Sequence, residues 1–324
     1  MLDSLNEMDS VIPENSEEKT VLVMTEEAER KIFRSENDIF TILEDKGVKM
    51  SDRQKEALKN RIGSILNYEP TIGVFGKTGA GKSSLCNALF GKDVFEISDV
   101  EACTREPQEL LLNVDGENGI RLIDVPGIGE SGGRDVEYDE LYRTILPELD
   151  MVIWVLKADD RAYAADEDFY KRLVQPHIGN GTPVFFVLNQ CDKVEPFKEW
   201  NDDTHTPGAV QSENIRRKTR ITADFFDIPE SKVIPVSARE SYNLTALVDE
   251  MIYALPDEKK ISIFGKINPE YISDKAEREN EKTVKSVFND ILCGVLDGVE
   301  NVICGVFDVA DSIMDVVSAL FSWI

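Results

Sequence analysis

Between Gly76 and Ser84 the chain reads GKTGAGKSS, in which Gly76, Gly81, Lys82 and Ser83 fill the spacing G-x-x-x-x-G-K-[ST]. These residue types in this order suit one task, the holding of a polyphosphate. Gly76, Gly79 and Gly81 let backbone N–H groups turn inward around an oxyanion, where a Cβ would block the approach. Thr78, Ala80 and Ser84 complete the cradle. Lys82 brings a compact positive charge to the outer phosphates, and the Ser83 hydroxyl suits Mg²⁺.

A cradle works only if the chain around it points a helix at the phosphates. Before the loop stands the apolar β-type run TIGVF, Thr71 to Phe75. After it Leu85, Ala88 and Leu89 recur at helical spacing. Strand, loop and helix in that order aim the helix N-terminus at the bound anion. Three later strands end in polar residues. RLID ends at Asp124, which can reach Mg²⁺ through a water, and Gly127 follows with an N–H suited to a γ-phosphate. PVFFVLN runs into Asn189, Gln190, Cys191 and Asp192. A carboxylate at Asp192 accepts from the ring N–H and exocyclic amine of guanine, whereas adenine offers neither donor on that edge. KVIPV runs into Ser237, Ala238 and Arg239, where a backbone N–H could meet the guanine O6. Thr104 is the one threonine between the first helix and Asp124, placed for a loop that closes over Mg²⁺.

With GKTGAGKSSLCNALFG, DVPG, NQCD and SAR in this order, the chain resembles the Era-like GTPases of the translation-factor-related class. More narrowly it is similar to the bacterial YfjP type. The resemblance covers Pro70 to Leu255. It implies an α/β, doubly wound domain with a mainly parallel sheet and the nucleotide at the carboxyl ends of the strands. It also implies Mg²⁺-dependent hydrolysis of GTP to GDP coupled to switch motions. In that scheme Lys82, Thr104 and Gly127 act in catalysis, and Ser83, Thr104 and Asp124 organise the metal. Gly76 to Ser84 (Lys77 excepted), Asp124, Gly127, Asn189, Gln190, Asp192, Ser237 and Ala238 hold the nucleotide. Three positions depart from the family. Gln190 stands where the guanine motif usually has lysine, Gly79 where many Era-like loops have a cation-binding asparagine, and Ile128 where other GTPases place a water-orienting glutamine. Arg105, Glu130 and Arg134 are nearby substitutes for that last role. Slow turnover is expected. A nucleotide-loaded binding or assembly module with incidental hydrolysis is the alternative.

Composition narrows the partners. The chain has 324 residues, more than one such domain requires, and a net charge of −26. That charge repels polyanions, and no basic stretch follows Pro256, so nucleic acid is not expected as a partner. The basic run Arg216 to Arg220 is expected on the solvated face of a helix. Cys86, Cys103, Cys191, Cys293 and Cys304 are odd in number and scattered, which fits a reducing cytoplasm rather than a disulfide scaffold or zinc site. Two histidines leave little for histidine-based catalysis. No signal-peptide pattern opens the chain, and no uncharged apolar run approaches the ~20 residues of a spanning helix.

The expected organisation is a helical segment over 1–69, a GTP-binding domain over 70–257 and a helical tail over 258–324. In the first segment Ala28, Ile32, Ile39, Phe40 and Leu43 share one helical face. A second helix opens with Ser51 and Gln54 at capping-box spacing and carries Ala57, Leu58, Ile62, Ile65 and Leu66. In the tail LCGVLDGVE recurs as ICGVFDVAD eleven residues later, aligning Val284, Val295, Val306 and Val317. Ile291, Val302, Ile313 and Ile324 align likewise. An 11-residue period keeps an apolar stripe almost straight along a helix. Gly294 and Gly305 fall at one angular position, which would permit close helix contact. Such a stripe has three uses: packing on its own protein, mating with a protein effector or second copy through 284–324, or lying on a membrane surface. Its acidic polar face disfavours the last.

Overall fold

The computed structural model describes residues 39–41, 43–44, 47–91, 108–114, 118–124, 143–160, 163–178 and 181–296. The expectations placed on Thr104, Arg105, Gly127, Ile128, Glu130, Arg134, Ala28, Ile32 and the tail beyond Leu296 fall outside them.

Six strands form one sheet: β1 (Thr71–Phe75), β2 (Gln108–Val114), β3 (Asn118–Asp124), β4 (Met151–Lys157), β5 (Val184–Asn189) and β6 (Val233–Pro235). Their spatial order is β2-β3-β1-β4-β5-β6. All neighbours are parallel except the β2–β3 pair at one edge. β4 and β5 are buried almost throughout, as continuous apolar runs in a two-sided sheet must be. The sheet is therefore doubly wound, with helices on both faces, as the spacing predicts.

One face is covered by α2 (Lys82–Phe90), α5 (Leu244–Ala254) and α6 (Asp257–Phe264), which share a core with Ile72, Val74, Ile153 and Val187. The other is covered by α3 (Ala164–Phe169) and its continuation to His177, and by α4 (Ala209–Phe226). There Trp154 is fully buried, stacked on Phe75 at 5.3 Å between ring centroids. Arg216, Arg217 and Arg220 lie on the exposed side of α4, as expected of that basic run.

The flanking helices build a third core of their own. α1 (Asp52–Leu66) is opened by a complete capping box between Ser51 and Gln54. Its Leu58, Ile62 and Ile65 pack with Ile39, Leu43 and Ile261, and with Val284, Val287, Phe288, Ile291 and Leu292 of α7 (Asp274–Leu296). The tail stripe is thus covered at Val284 and Ile291, and partly at Val295, by α1 with Ile39 and Leu43. Two details differ from the periodicity. Ala57 is exposed, because a stripe of small angular width suffices to meet α7. Gly294 is exposed with open space where its Cβ would be, so it marks no close helix crossing among the described residues. Buried polar groups tie this cap to the sheet. Ser262 Oγ and Lys266 Nζ donate to Tyr68 O at 2.7 and 2.9 Å, and the Tyr68 hydroxyl donates to the buried Asp150 carboxylate.

Candidate functional site

The site gathers at the carboxyl ends of β1, β4 and β5, where the loop 76–81 leads from β1 into α2. Gly76, Gly79 and Gly81 all adopt positive φ, at 137°, 79° and 89°. The reason differs from the expected one at two of them. A Cβ on Gly76 would lie 2.2 Å from Val155 O, and one on Gly81 would lie 2.4 Å from Asn189 Nδ2. These glycines admit the chain's own neighbours, and only Gly79 opens onto empty space. Thr78 is exposed at the loop tip, Ala80 is buried beneath it, and Ser83 and Ser84 stand half-buried in the first turn of α2. The Lys82 ammonium turns back along the loop and donates to Gly76 O at 2.9 Å.

Asn189, at the end of β5, is 1% exposed, and its amide is spent within the chain. Nδ2 donates to Ala80 O at 3.0 Å, and Oδ1 accepts from the Ala238 N–H at 3.0 Å. It is a strut that locks the phosphate loop to the loop after β6. The Ala238 N–H is therefore engaged, and the Ser237 N–H donates to Tyr242 O at 3.1 Å. Neither is the outward donor that the strand-end pattern suggests; Ser237 contributes through its hydroxyl instead. Ser237 Oγ donates to Asp192 Oδ1 at 2.7 Å and so fixes the rotation of that carboxylate. The backbone beneath is pinned by Gln211, whose Nε2 donates to Asp192 O at 3.1 Å and Val194 O at 2.9 Å.

Gln190, in left-handed backbone at φ 64°, reaches over the loop and donates from Nε2 to Gly79 O at 2.8 Å. Its Oε1 accepts from Lys193 Nζ at 2.9 Å. Burial pushes the Cys191 thiol between these residues up to about 12, so it is a packing group and no nucleophile. Asp124 closes β3, with Arg121, Leu122, Ile123 and Asp124 in parallel register with Thr71 to Val74, which brings the end of β3 beside the start of the loop. Thr104 and Gly127 lie outside the described residues.

Three contributors carry no sequence signal of their own. Lys77 occupies a variable position of the loop motif, yet its ammonium lies 2.7 Å from the buried Asp166 carboxylate of α3. Asp166 sits in the acidic run AADEDF, which reads as a solvated helix face. Gln211 is a polar residue on an amphipathic helix, buried because the loop after β5 needs its donors.

Residues 71–190 match a family model described as 50S ribosome-binding GTPase. The uncharacterized protein YkfA of Escherichia coli (strain K12) is 41% identical over 240 residues, 73% of this chain and 81% of YkfA. YfjP of the same organism is 44% identical over 203 residues, 63% of this chain and 68% of YfjP. GTPase Era of Aquifex aeolicus is 28% identical over 192 residues, and the match spans 57% of this chain and only about half of Era, 56%. A crystal structure of an Era variant from that organism bound to GDP·AlF₄⁻ aligns with a TM-score of 0.43 and 26% identity, over 57% of this chain and 56% of Era. The extent of the match to YkfA and YfjP, together with the P-loop and sheet order above, shows that the chain belongs to the YfjP/YkfA family of P-loop GTPase-domain proteins.

Proposed function

We propose that the chain binds GDP and GTP with Mg²⁺ and hydrolyses GTP slowly to GDP and phosphate, serving as a switch. The observation that carries the reading is the Asp192 carboxylate, held by the Ser237 hydroxyl at 2.7 Å on a frame that Asn189 ties to the phosphate loop. A carboxylate so held pairs with two donors on guanine. Adenine offers neither donor on that edge, so the carboxylate would lose both bonds.

In this reading the loop N–H groups and the N-terminus of α2 receive the phosphates, and Lys82 exchanges Gly76 O for the β- and γ-phosphate oxygens. The hydroxyls of Ser83 and Thr104 and the carboxyl of Asp124 would supply hard oxygen donors of the kind Mg²⁺ takes. Its half-buried member Ser83 stands in the first turn of the phosphate helix. The ion would neutralise charge on the β- and γ-oxygens. Gly127 is proposed to sense the γ-phosphate. Gln190 is proposed to brace the loop in place of the lysine common at that position.

Residues 70–257 are proposed as the nucleotide unit, with 1–69 and 258–324 as its cap, in the cytoplasm and acting through a protein effector. Among the described residues no helix is long and apolar enough to cross a membrane. The charge of −26 argues against RNA as the partner. Ile128 favours a second reading, in which hydrolysis is incidental to a nucleotide-loaded assembly device. Single-turnover rates with and without residues 297–324 separate the two readings.

Titration with GDP and ADP tests the reading, with tight binding of GDP alone as the expected result. Asp192→Asn should shift preference toward xanthosine diphosphate, whose extra carbonyl accepts from the new amide. Equal affinity of the wild type for ADP and GDP would overturn the reading.

A further inference from the structure

The phosphate loop is held from two sides. On the β5 side Asn189 grips Ala80 O and Gln190 grips Gly79 O. On the opposite side the Lys77 ammonium pairs with the Asp166 carboxylate, 2.7 Å between Nζ and Oδ2. Asp166 is 1% exposed and rests against an aromatic floor in which Phe75, Trp154 and Phe169 lie within 6.5 Å of one another. Neither of its oxygens has a well-aligned hydrogen bond among the described residues. Burial raises its carboxyl above the ordinary value, against the pull of the Lys77 ammonium and the Trp154 indole. A buried carboxylate paired with one ammonium is weak evidence for stability, because desolvation offsets much of the Coulombic attraction. Its place is explained by what it holds.

Lys77 follows Gly76 directly, and Gly76 O is the acceptor of the Lys82 ammonium. A chain of contact therefore runs from Asp166 through Lys77 and the first turn of the loop to the lysine that meets the phosphates. We infer that Asp166 is a positioning residue for the nucleotide site: it anchors Lys77 and so sets the entry turn of the loop in the shape that receives phosphate. The inference rests on the nucleotide-binding reading above.

Release of a fluorescent N-methylanthraniloyl GDP from the full-length protein provides the test, alongside thermal melting. Asp166→Asn should release the nucleotide at least about fivefold faster while melting no lower than wild type, because the amide removes a buried charge of nearly the same shape. Lys77→Met, at a partly exposed position, should give a similar increase. The double variant should release no faster than either single one, since both act through one contact. Wild-type release from Asp166→Asn, multiplicative effects in the double variant, or a fall in melting temperature alongside faster release would each overturn the inference. Failure of the wild type to bind the probe would instead overturn the nucleotide reading, and the inference with it.

Discussion

At the scale of single residues, two side chains in the candidate site look alike in sequence and do different work. Asn189 ends β5 and Asp192 follows it, but the first is buried and faces the protein, while the second is only partly buried and oriented by Ser237. Their variants should therefore fail differently. Asn189→Ala strands Ala80 O and the Ala238 N–H and should weaken GDP and GTP binding together, by about 1–3 kcal/mol. Calorimetric titration should show the preference for guanine over adenine intact. Ser237→Ala leaves the loop strut in place but frees the rotation of Asp192, so it should narrow the GDP-to-ADP ratio more than it weakens Mg²⁺-dependent binding. A uniform loss of affinity for both bases in Ser237→Ala would show that its hydroxyl serves the frame and not the base.

Among the elements, the short phosphate helix α2 shows how tertiary contacts finish what local sequence begins. The residue before it, Gly81, adopts left-handed backbone and offers no side-chain cap to its N-terminus. Its far end is closed by Gly91 and by the segment after α6, where the Asn268 N–H donates to Leu89 O at 2.7 Å. The C-terminal cap thus touches the same helix that would meet the phosphates. α1 is the opposite case, a helix whose start is written locally. Ser51→Ala removes the side-chain half of its capping box, the bond that Ser51 Oγ accepts from the Gln54 N–H, and should cost about 1 kcal/mol, visible as a lower melting temperature with nucleotide affinity unchanged.

For the whole molecule, stability should depend on the cap as well as on the sheet. Phe288 is 1% exposed at the centre of the third core, and Phe288→Ala should cost about 3–5 kcal/mol in urea unfolding. A loss below about 1 kcal/mol would mean that α7 contributes little to the native state. Lys266 gives the cap a pH signature. Burial lowers its ammonium to about 8 against a modest opposing pull from Glu69, so over the interval from there to the ordinary lysine value near 10.5 the unfolded chain binds a proton that the folded chain does not. Lys266 therefore contributes stability that is full above that interval and is lost as pH falls through it. The stability of wild type relative to Lys266→Met should rise with pH across the interval. The raised Cys191 thiol and Tyr68 hydroxyl act in the opposite direction but are common to both proteins.

The sequence determined what depends on local chemistry and period. The phosphate loop, the strand–loop–helix around it, the polar strand ends and the capping box of α1 each follow from residue type at fixed spacing. So does the apolar stripe of Val284, Ile291 and Val295, since a helix of that period must cover one face. Tertiary structure decided what depends on contacts between distant residues. Whether a glycine makes room for a ligand or for Val155 O, and whether Asn189 faces a base or a backbone carbonyl, is set by where β4, β5 and β6 end relative to one another. Asp166 and Lys77 are 89 positions apart in sequence, and only the crossing from β4 into α3 brings them together. Such burial of a single charge leaves no periodic trace, because one buried carboxylate in an acidic run does not change the pattern of the helix that carries it.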